Sequence, residues 1–408
     1  MSKLSQRAKP NLRFKGFGEY WNIERLGDYL SFKNGINADK ESYGKGYKFI
    51  NVLDIINNNF ITHESIIGSV DVDEKVFERN EVAYGDILFQ RSSENREEAG
   101  QSNVYLDPDK TSCFGGFVIR GKAKKAYNPV YLNYLLKSYL ARKEIVTKSG
   151  GSTRYNVGQD TLSEVKIYIS SNHDEQQKIA NFLSSVDKKI SLLKEKNTLL
   201  TQYKKGVMQK LFKQEIRFKD DNGNDFPDWQ DEKLGKWLEE YKAKSTEENQ
   251  FEVLTSSRTG LMKQSDYYGE GRITERSNIG FNIIPSGYLT FRSRSDDRQF
   301  FFNLNELDYT GIISTYYPVF KMKNDQNKFF IELSRFHKNR FGRQAVGTSQ
   351  VVLSFNELKN IKFAMPCTEE QAKIAEFAGA LDKKLAAVHQ QIELTQTFKK
   401  GLLQQMFV

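Results

Sequence analysis

The run Pro227-Asp228 followed by Asp231-Glu232-Lys233 carries the letters of a PD-(D/E)xK nuclease. That chemistry needs two carboxylates and a lysine, brought from separate strand positions around a divalent metal that activates water. Here all of them fall within one short stretch, so the run reads as a polar loop. The histidines His63, His173, His337 and His389 show no metal-ligand spacing, and Cys113 and Cys367 form no Cys-x-x-Cys pair. No Gly-x-x-x-x-Gly-Lys-Ser/Thr phosphate loop occurs. The Asn-Pro-Pro-Phe and Asp-Pro-Pro-Tyr tetrapeptides of amino-methyltransferases are absent as well, and Asn128-Pro129-Val130 reads as a helix-start turn. Phe114-Gly115-Gly116-Phe117 lacks the flanks of a cofactor loop. The expectation is a chain with no catalytic residue, no metal and no cofactor.

Three polar clusters point to a different chemistry. Gln90-Arg91-Ser92-Ser93 with Arg96 follows the apolar run Ile87-Leu88-Phe89, which places it in a loop at a strand end. Lys148-Ser-Gly-Gly-Ser152-Thr153-Arg154-Tyr155-Asn156 combines glycines, which let a backbone approach a phosphate, with hydroxyl, guanidinium and amide donors. In the second half, Arg292, Arg294 and Arg298 are followed by Arg340, Arg343, Gln344, Thr348 and Ser349. Arginine pairs bidentately with guanine O6 and N7, and Asn and Gln do the same for adenine N6 and N7. These residues are candidate DNA contacts. The bland alternative for each one singly is a solvated surface group.

The elements that must position them come in duplicate. Glu175-Gln-Gln-Lys-Ile-Ala-Asn-Phe182 matches Glu370-Gln-Ala-Lys-Ile-Ala-Glu-Phe377, Asp187-Lys-Lys189 matches Asp382-Lys-Lys384, and Tyr203-Lys-Lys-Gly206 matches Phe398-Lys-Lys-Gly401, all at an offset of 195 residues. Weaker matches link Arg13-Phe14-Lys15 to Arg217-Phe218-Lys219, Trp21 to Trp229, and Leu26-Gly27 to Leu234-Gly235. The loop Gly151-Ser-Thr153 matches Gly347-Thr-Ser349, and Arg91–Ser93 aligns near Ser293–Ser295. Each half thus reads as entry segment, globular domain, polar loop, short strand and long helix.

The long helices carry heptads. Ile179, Val186, Leu193, Leu200 and Val207, with Leu183, Ile190, Asn197, Lys204 and Leu211, form one a/d seam. Ile374, Leu381, Val388, Thr395 and Leu402, with Ala378, Leu385, Ile392, Lys399 and Met406, form the other. Matched heptads of equal length predict that the helices pair with each other, with Asn197, Lys204 and Lys399 setting register. Glu175 and Glu370 fall in the first turns, where they suit the helix dipole.

Short Gly-bounded apolar runs at 47–52, 86–89, 117–120 and 165–169 predict strands, and 130–146 predicts a helix. The second half repeats the rhythm at 288–292, 317–322 and 361–365, with a helix around 328–341. The expected fold is α+β: two pseudo-repeated α/β domains of about 150 residues, over 1–172 and 214–367. They are separated by helices over 173–213 and 368–408 that form an antiparallel coiled coil.

The net charge of +9 favours an anionic partner, but its distribution is uneven. Between Glu175 and Lys213, nine lysines face three acids; between Glu370 and Val408, five face four. These two segments hold most of the excess, so DNA binding by the domains rests on the local clusters. No stretch reaches the ~20 apolar residues of a membrane span, and Met1 to Phe14 is polar and basic. A cytoplasmic location is expected.

In order and repetition, these motifs resemble the specificity subunits of type I restriction–modification systems. The resemblance covers essentially the whole chain. It rests on Leu12-Arg-Phe-Lys-Gly-Phe17 with Trp21 and Leu26-Gly27, on Gly85-Asp-Ile-Leu-Phe89 with Arg91-Ser-Ser93, on the Gly-Ser-Thr loop, and on the twice-used helix motif. The second half departs from it where Gly287-Tyr-Leu-Thr-Phe291 replaces the Gly-Asp-Ile-Leu-Phe form.

The resemblance implies two target-recognition domains, each reading one half of a bipartite, asymmetric site in double-stranded DNA. It implies that the helices set the unspecified spacer and dock two modification subunits, which bind S-adenosylmethionine and methylate adenine. A separate motor-nuclease subunit translocates and cuts DNA with ATP. A helix of ~38 residues is about 57 Å long, enough to carry two readers one DNA turn of about 34 Å apart. A standalone nuclease predicts metal-dependent cutting by the chain alone. A scaffold without a DNA role predicts no salt-dependent DNA affinity.

Overall fold

The computed structural model describes residues 7–269, 277–348 and 350–408. The chain packs as two compact α+β units, one of Met1–Glu195 with Gln390–Val408 and the other of Lys196–His389. No helix among the described residues is long and apolar enough to cross a membrane.

In the first unit, the four-stranded antiparallel sheet runs in the order Leu30–Asn34, Val118–Ala123, Ile87–Gln90, Ser102–Val104. Ile87, Leu88 and Phe89 are all fully buried, because the sheet is covered on both faces. Beside it, Tyr43–Ile50 pairs parallel with Cys113–Phe114 and antiparallel with Ser69–Val70. Phe114-Gly-Gly-Phe117 is where two chain segments cross: Ile36 N–H donates to the Phe114 carbonyl at 2.9 Å and Gly116 N–H to the Ile36 carbonyl at 2.8 Å. The entry strand Trp21–Arg25 pairs with Lys166–Ile169, which leads into the first long helix.

The second unit has the same plan. Its four-stranded antiparallel sheet runs Leu238–Tyr241, Val319–Met322, Leu289–Phe291, Phe302–Leu304. Glu252–Ser256 pairs parallel with Gly311–Ile313, and the entry strand Gln230–Lys233 pairs with Lys362–Met365. That entry strand absorbs the nuclease-like run. Asp231 and Glu232 alternate along it, and Glu232 accepts from Trp237 Nε1 at 2.7 Å. Among the described residues no group of three His, Cys, Asp or Glu side chains is placed to hold a metal.

The long helices are His173–Phe212 and Thr368–Gln405. They pack together antiparallel, and their predicted a/d residues are the buried or half-buried ones. In the first unit Ile179, Leu183, Val186 and Ile190 share a core with Leu402, Met406 and Phe407. In the second, Met208, Leu211 and Phe212 share one with Ile374, Ala375 and Ala378. Two core lysines form reciprocal ion pairs: Lys399 with Asp187 at 2.6 Å, and Lys204 with Asp382 at 2.7 Å. Asp and Lys lie the same seventeen residues apart on either helix, 187 to 204 and 382 to 399, as a constant antiparallel register requires.

Each predicted domain helix is in fact two. Pro129–Lys137 and Tyr139–Lys148 are separated by Ser138, which is extended (φ −69°, ψ 158°) and ends one helix while starting the next. Asn327–Phe336 and Lys338–Gln344 are separated by His337 (φ −98°, ψ 20°). The His337 ring packs 4.7 Å from Phe336, 4.9 Å from Phe363 and 6.0 Å from Phe212. Burial, and then the nearby Arg340 charge, push its pKa down to about 4.

The unfolded imidazole titrates near 6.5, so its lowered folded value contributes stability that is full above about 6.5 and is lost as pH falls toward 4. The second unit should therefore be about 1–2 kcal/mol less stable at about pH 5 than near pH 7 on this account. His337→Phe should flatten that slope. Urea denaturation at both pH values measures it, and an unchanged slope in the variant would refute the assignment.

Candidate nucleic-acid interface

At one corner of the first unit several segments meet on one residue. Strand Ile87–Gln90 ends, and Arg91 donates its N–H to the Phe117 carbonyl at 2.9 Å while its own carbonyl accepts from Val157 at 3.0 Å. Ser92–Ser93 then pairs antiparallel with Tyr155–Asn156. That strand belongs to a hairpin closed at its base by Gly150 N–H to Asn156 O, 3.0 Å, and Asn156 N–H to Gly150 O, 2.7 Å.

The second unit repeats this crossing bond for bond. Ser293 donates to the Tyr316 carbonyl and accepts from Leu353, both at 2.9 Å. Arg294–Ser295 pairs with Val351–Val352, and Val346 and Val352 close the hairpin with bonds of 2.9 and 2.8 Å. The equivalence of the Gly-Ser-Thr loop and Gly347–Ser349 is thus one of hydrogen bonding as well as of sequence.

Each hairpin turns on a glycine. Gly151 has φ +123° and Gly347 φ +125°, in the region that penalises any side chain. A Cβ would also run into the carbonyl oxygens of Arg154 and Gln350 respectively.

The structure gathers the first two clusters into one patch. Ser92 Oγ donates to Asn156 Oδ1 at 2.5 Å, Ser93 Oγ to Glu98 at 3.2 Å, and the Arg96 guanidinium lies 6.0 Å from the Tyr155 ring centre. Ser152, Thr153 and Arg154 are exposed around the hairpin turn, with Arg154 3.8 Å from Glu94. Lys148 ends the helix feeding the hairpin and sits 3.6 Å from Glu144. Gln90 is buried and turned inward, its amide donating to the Ser92 carbonyl at 2.9 Å, so it props the patch from beneath.

In the second unit Arg292 and Arg294 are exposed, and Arg294 lies 4.1 Å over the Tyr316 ring. Arg298, at φ +58°, donates to the Gly347 carbonyl at 3.0 Å and so ties its loop to the hairpin. Arg343 and Gln344 end the feeding helix, exposed, and Thr348 is exposed beyond them. Ser349 lies outside the described residues. Arg340 is exposed, its guanidinium lying 4.8 Å over the Phe363 ring. The acids of the second patch are engaged by partners close at hand. Hydrogen bonds from Ser295 and then Gln299, together with Arg258 at 2.5 Å, hold the Asp297 carboxyl below its ordinary range. Asp296 accepts from Gln350 at 3.0 Å.

Three residues of this corner escape a sequence reading. Arg142 donates to the carbonyls of Gly100 (2.7 Å), Ala99 (2.7 Å) and Glu97 (2.9 Å), clamping the turn that carries Arg96. Burial lowers its pKa to about 10, which leaves it charged. Phe117 and Tyr316 are exposed aromatics at the same backbone position of the two units. Their only sequence signal is an aromatic ring placed just before the central strand of each four-stranded sheet.

The family model for the type I restriction modification DNA specificity domain matches residues 18–202 and 235–396. The chain belongs to this family. Among curated relatives, the type I restriction enzyme MjaVIII specificity subunit of Methanocaldococcus jannaschii is 24% identical over 94% of this chain and 91% of its own length. A chain described as the MjaX specificity subunit of the same organism is 26% identical over 53% of this chain, and that match spans about half (52%) of the relative.

Two solved structures share the fold. The S subunit of a type I restriction–modification system from M. genitalium superposes with a TM-score of 0.57 at 16% identity, covering 98% of this chain and 99% of the other. A chain from a study of complex assembly and conformational transition in the type I system gives 0.55 at 12% identity, covering 94% and 96%. This specificity subunit is therefore the DNA-specificity component of a type I restriction–modification complex, a non-catalytic family.

Proposed function

We propose that each unit of this specificity subunit reads one half of a bipartite site in double-stranded DNA through the crossing patch just described. The reading residues are Arg91, Ser92, Ser93, Arg96, Lys148, Ser152, Thr153, Arg154 and Asn156 in residues 1–172. In residues 214–367 they are Arg292, Arg294, Arg298, Arg343, Gln344, Thr348 and Ser349. The paired helices, over 173–213 and 368–408, set the spacer and dock two modification subunits, and the motor-nuclease subunits join through that complex in the cytoplasm.

One observation carries the reading: the same backbone crossing occurs twice with different side chains on it. Arg91 in the first patch corresponds to Ser293 in the second, and Ser92 to Arg294. A shared frame with relocated cations suits two readers of different base sequences, because arginine, serine and asparagine differ in the base edges they match.

The test is a methylation map of DNA from cells expressing this chain with its modification subunit, against cells expressing that subunit alone. The expected result is a new two-part adenine motif with a fixed gap. Replacing 214–367 by the equivalent segment of a relative should change only one part. No new motif from an assembled complex would refute the proposal.

A further inference from the structure

Phe117 and Tyr316 are 66% and 48% exposed. Each lends its carbonyl to the residue on which its patch is built, Arg91 and Ser293, through a 2.9 Å bond. A large ring in water is unfavourable, yet the crossing places one at this point in both units, from unrelated local sequences. Beside each ring stands an arginine. Arg91 donates to the Gly116 carbonyl at 3.2 Å, one residue from Phe117, and Arg294 lies over the Tyr316 ring. The rings differ in one respect: Tyr316 is capped by a guanidinium, whereas Phe117 has no ring or cation partner among the described residues.

We infer that Phe117 is an apolar DNA contact of the first unit, its ring laid against a thymine methyl or deoxyribose edge beside the bases that Arg91 and its neighbours face. Tyr316 is its counterpart, and its ring also orients Arg294. The inference rests on the DNA-reading role proposed above. The chemistry follows from the groups present. A phenyl ring neutralises no phosphate, so it releases no counterion; what it offers is apolar contact and a π-face. Its contribution should therefore be the same at every salt concentration, unlike that of the flanking arginines.

The experiment uses the full chain assembled with its modification subunits and a duplex carrying the mapped site, titrated at several salt concentrations. Phe117→Ala should weaken binding by about tenfold at each salt concentration, leave the slope of log affinity against log salt unchanged, and relax methylation at one half of the motif only. Phe117→Leu, which keeps apolar bulk, should recover most of the affinity. Arg294→Ala should lower the slope, and Tyr316→Ala should relax the other half of the motif. Site-selective binding by the wild-type complex, undiminished in Phe117→Ala, would overturn this inference alone. Absence of site-selective binding by the wild-type complex would overturn the reading beneath it as well. The ring is exposed, so a melting curve matching wild type separates lost contact from lost fold.

Discussion

Replacing Arg13 by methionine is expected to lower the stability of the first unit by about 3–5 kcal/mol near neutral pH, the cost of leaving a buried carboxylate unpaired. Glu175 is completely buried and its partner 12% exposed. It accepts from Arg13 Nε at 2.5 Å and Nη2 at 2.8 Å, from Trp21 Nε1 at 2.9 Å and from Ser170 Oγ at 2.5 Å. Burial alone would raise its pKa; the bonds from Arg13, Ser170 and Trp21 outweigh it and hold the carboxyl below its ordinary range. A lowered carboxyl pKa contributes stability that is present above the unfolded value, near 4.3, and is lost as pH falls through the folded one.

In Arg13→Met the sign reverses. The orphaned carboxyl is raised, so acid relieves the defect, and variant and wild type should converge as pH drops below about 4.3. Urea denaturation near neutral pH and at acid pH, with amide exchange to localise the loss to the first unit, measures both parts. A neutral-pH loss under about 1 kcal/mol would mean the bonds to Glu175 are not what anchors the entry segment.

The second large effect concerns the reciprocal ion pairs, and an asymmetry between them. Asp187 is 7% exposed and serves both Lys399 and the Tyr134 hydroxyl, the latter at 2.7 Å. Asp382 is 49% exposed, and its partner Lys204 also reaches Glu332 at 3.4 Å. Lys137, beside the first pair, already has its pKa pushed down to about 8 by burial and by Lys399, with Asp187 opposing. Asp187→Ala thus removes an acceptor from the buried Tyr134 hydroxyl and leaves two like charges unbalanced, and should cost about 2–4 kcal/mol. Asp382→Ala removes a half-exposed partner and leaves Lys204 a second acid, Glu332, and should cost about 1 kcal/mol or less. Thermal or urea unfolding of the two variants side by side tests this, and equal losses would contradict it.

These two networks mark the boundary of what sequence conveys. The heptads placed every a/d residue on the buried seam, since a 3.5-residue period is a local property of the chain. The lysines at core positions were visible as exceptions, but their aspartate partners lie on the other helix, 178 residues away for Lys204 and 212 for Lys399. Glu175 and Glu370 looked like dipole partners because they fall in first turns. Their larger role, accepting from Arg13 and Trp21 or from Arg217 and Trp229, depends on where the entry segment docks.

The breaks at Ser138 and His337 were invisible because each is one residue in an otherwise continuous periodic stretch, fixed by packing. At the candidate site, the polar clusters were legible from composition. Which members face outward was not: Gln90 turns inward, and Ser93 is buried, its hydroxyl bonded to Glu98. The exposed rings of Phe117 and Tyr316 carried only a misleading signal, since an aromatic near a strand start is ordinarily core.

The crossing at Arg91 and Ser293 is fastened by main-chain atoms and by one glycine in each hairpin. Its side chains are tenants rather than beams. Point changes among the exposed side chains around each hairpin turn, Ser152, Thr153 and Thr348, leave the main-chain bonds of the crossing in place, and with them the folding free energy those bonds secure. On the reading proposed above, a lineage carrying this subunit can try new target sequences one substitution at a time, without passing through unfolded ancestors.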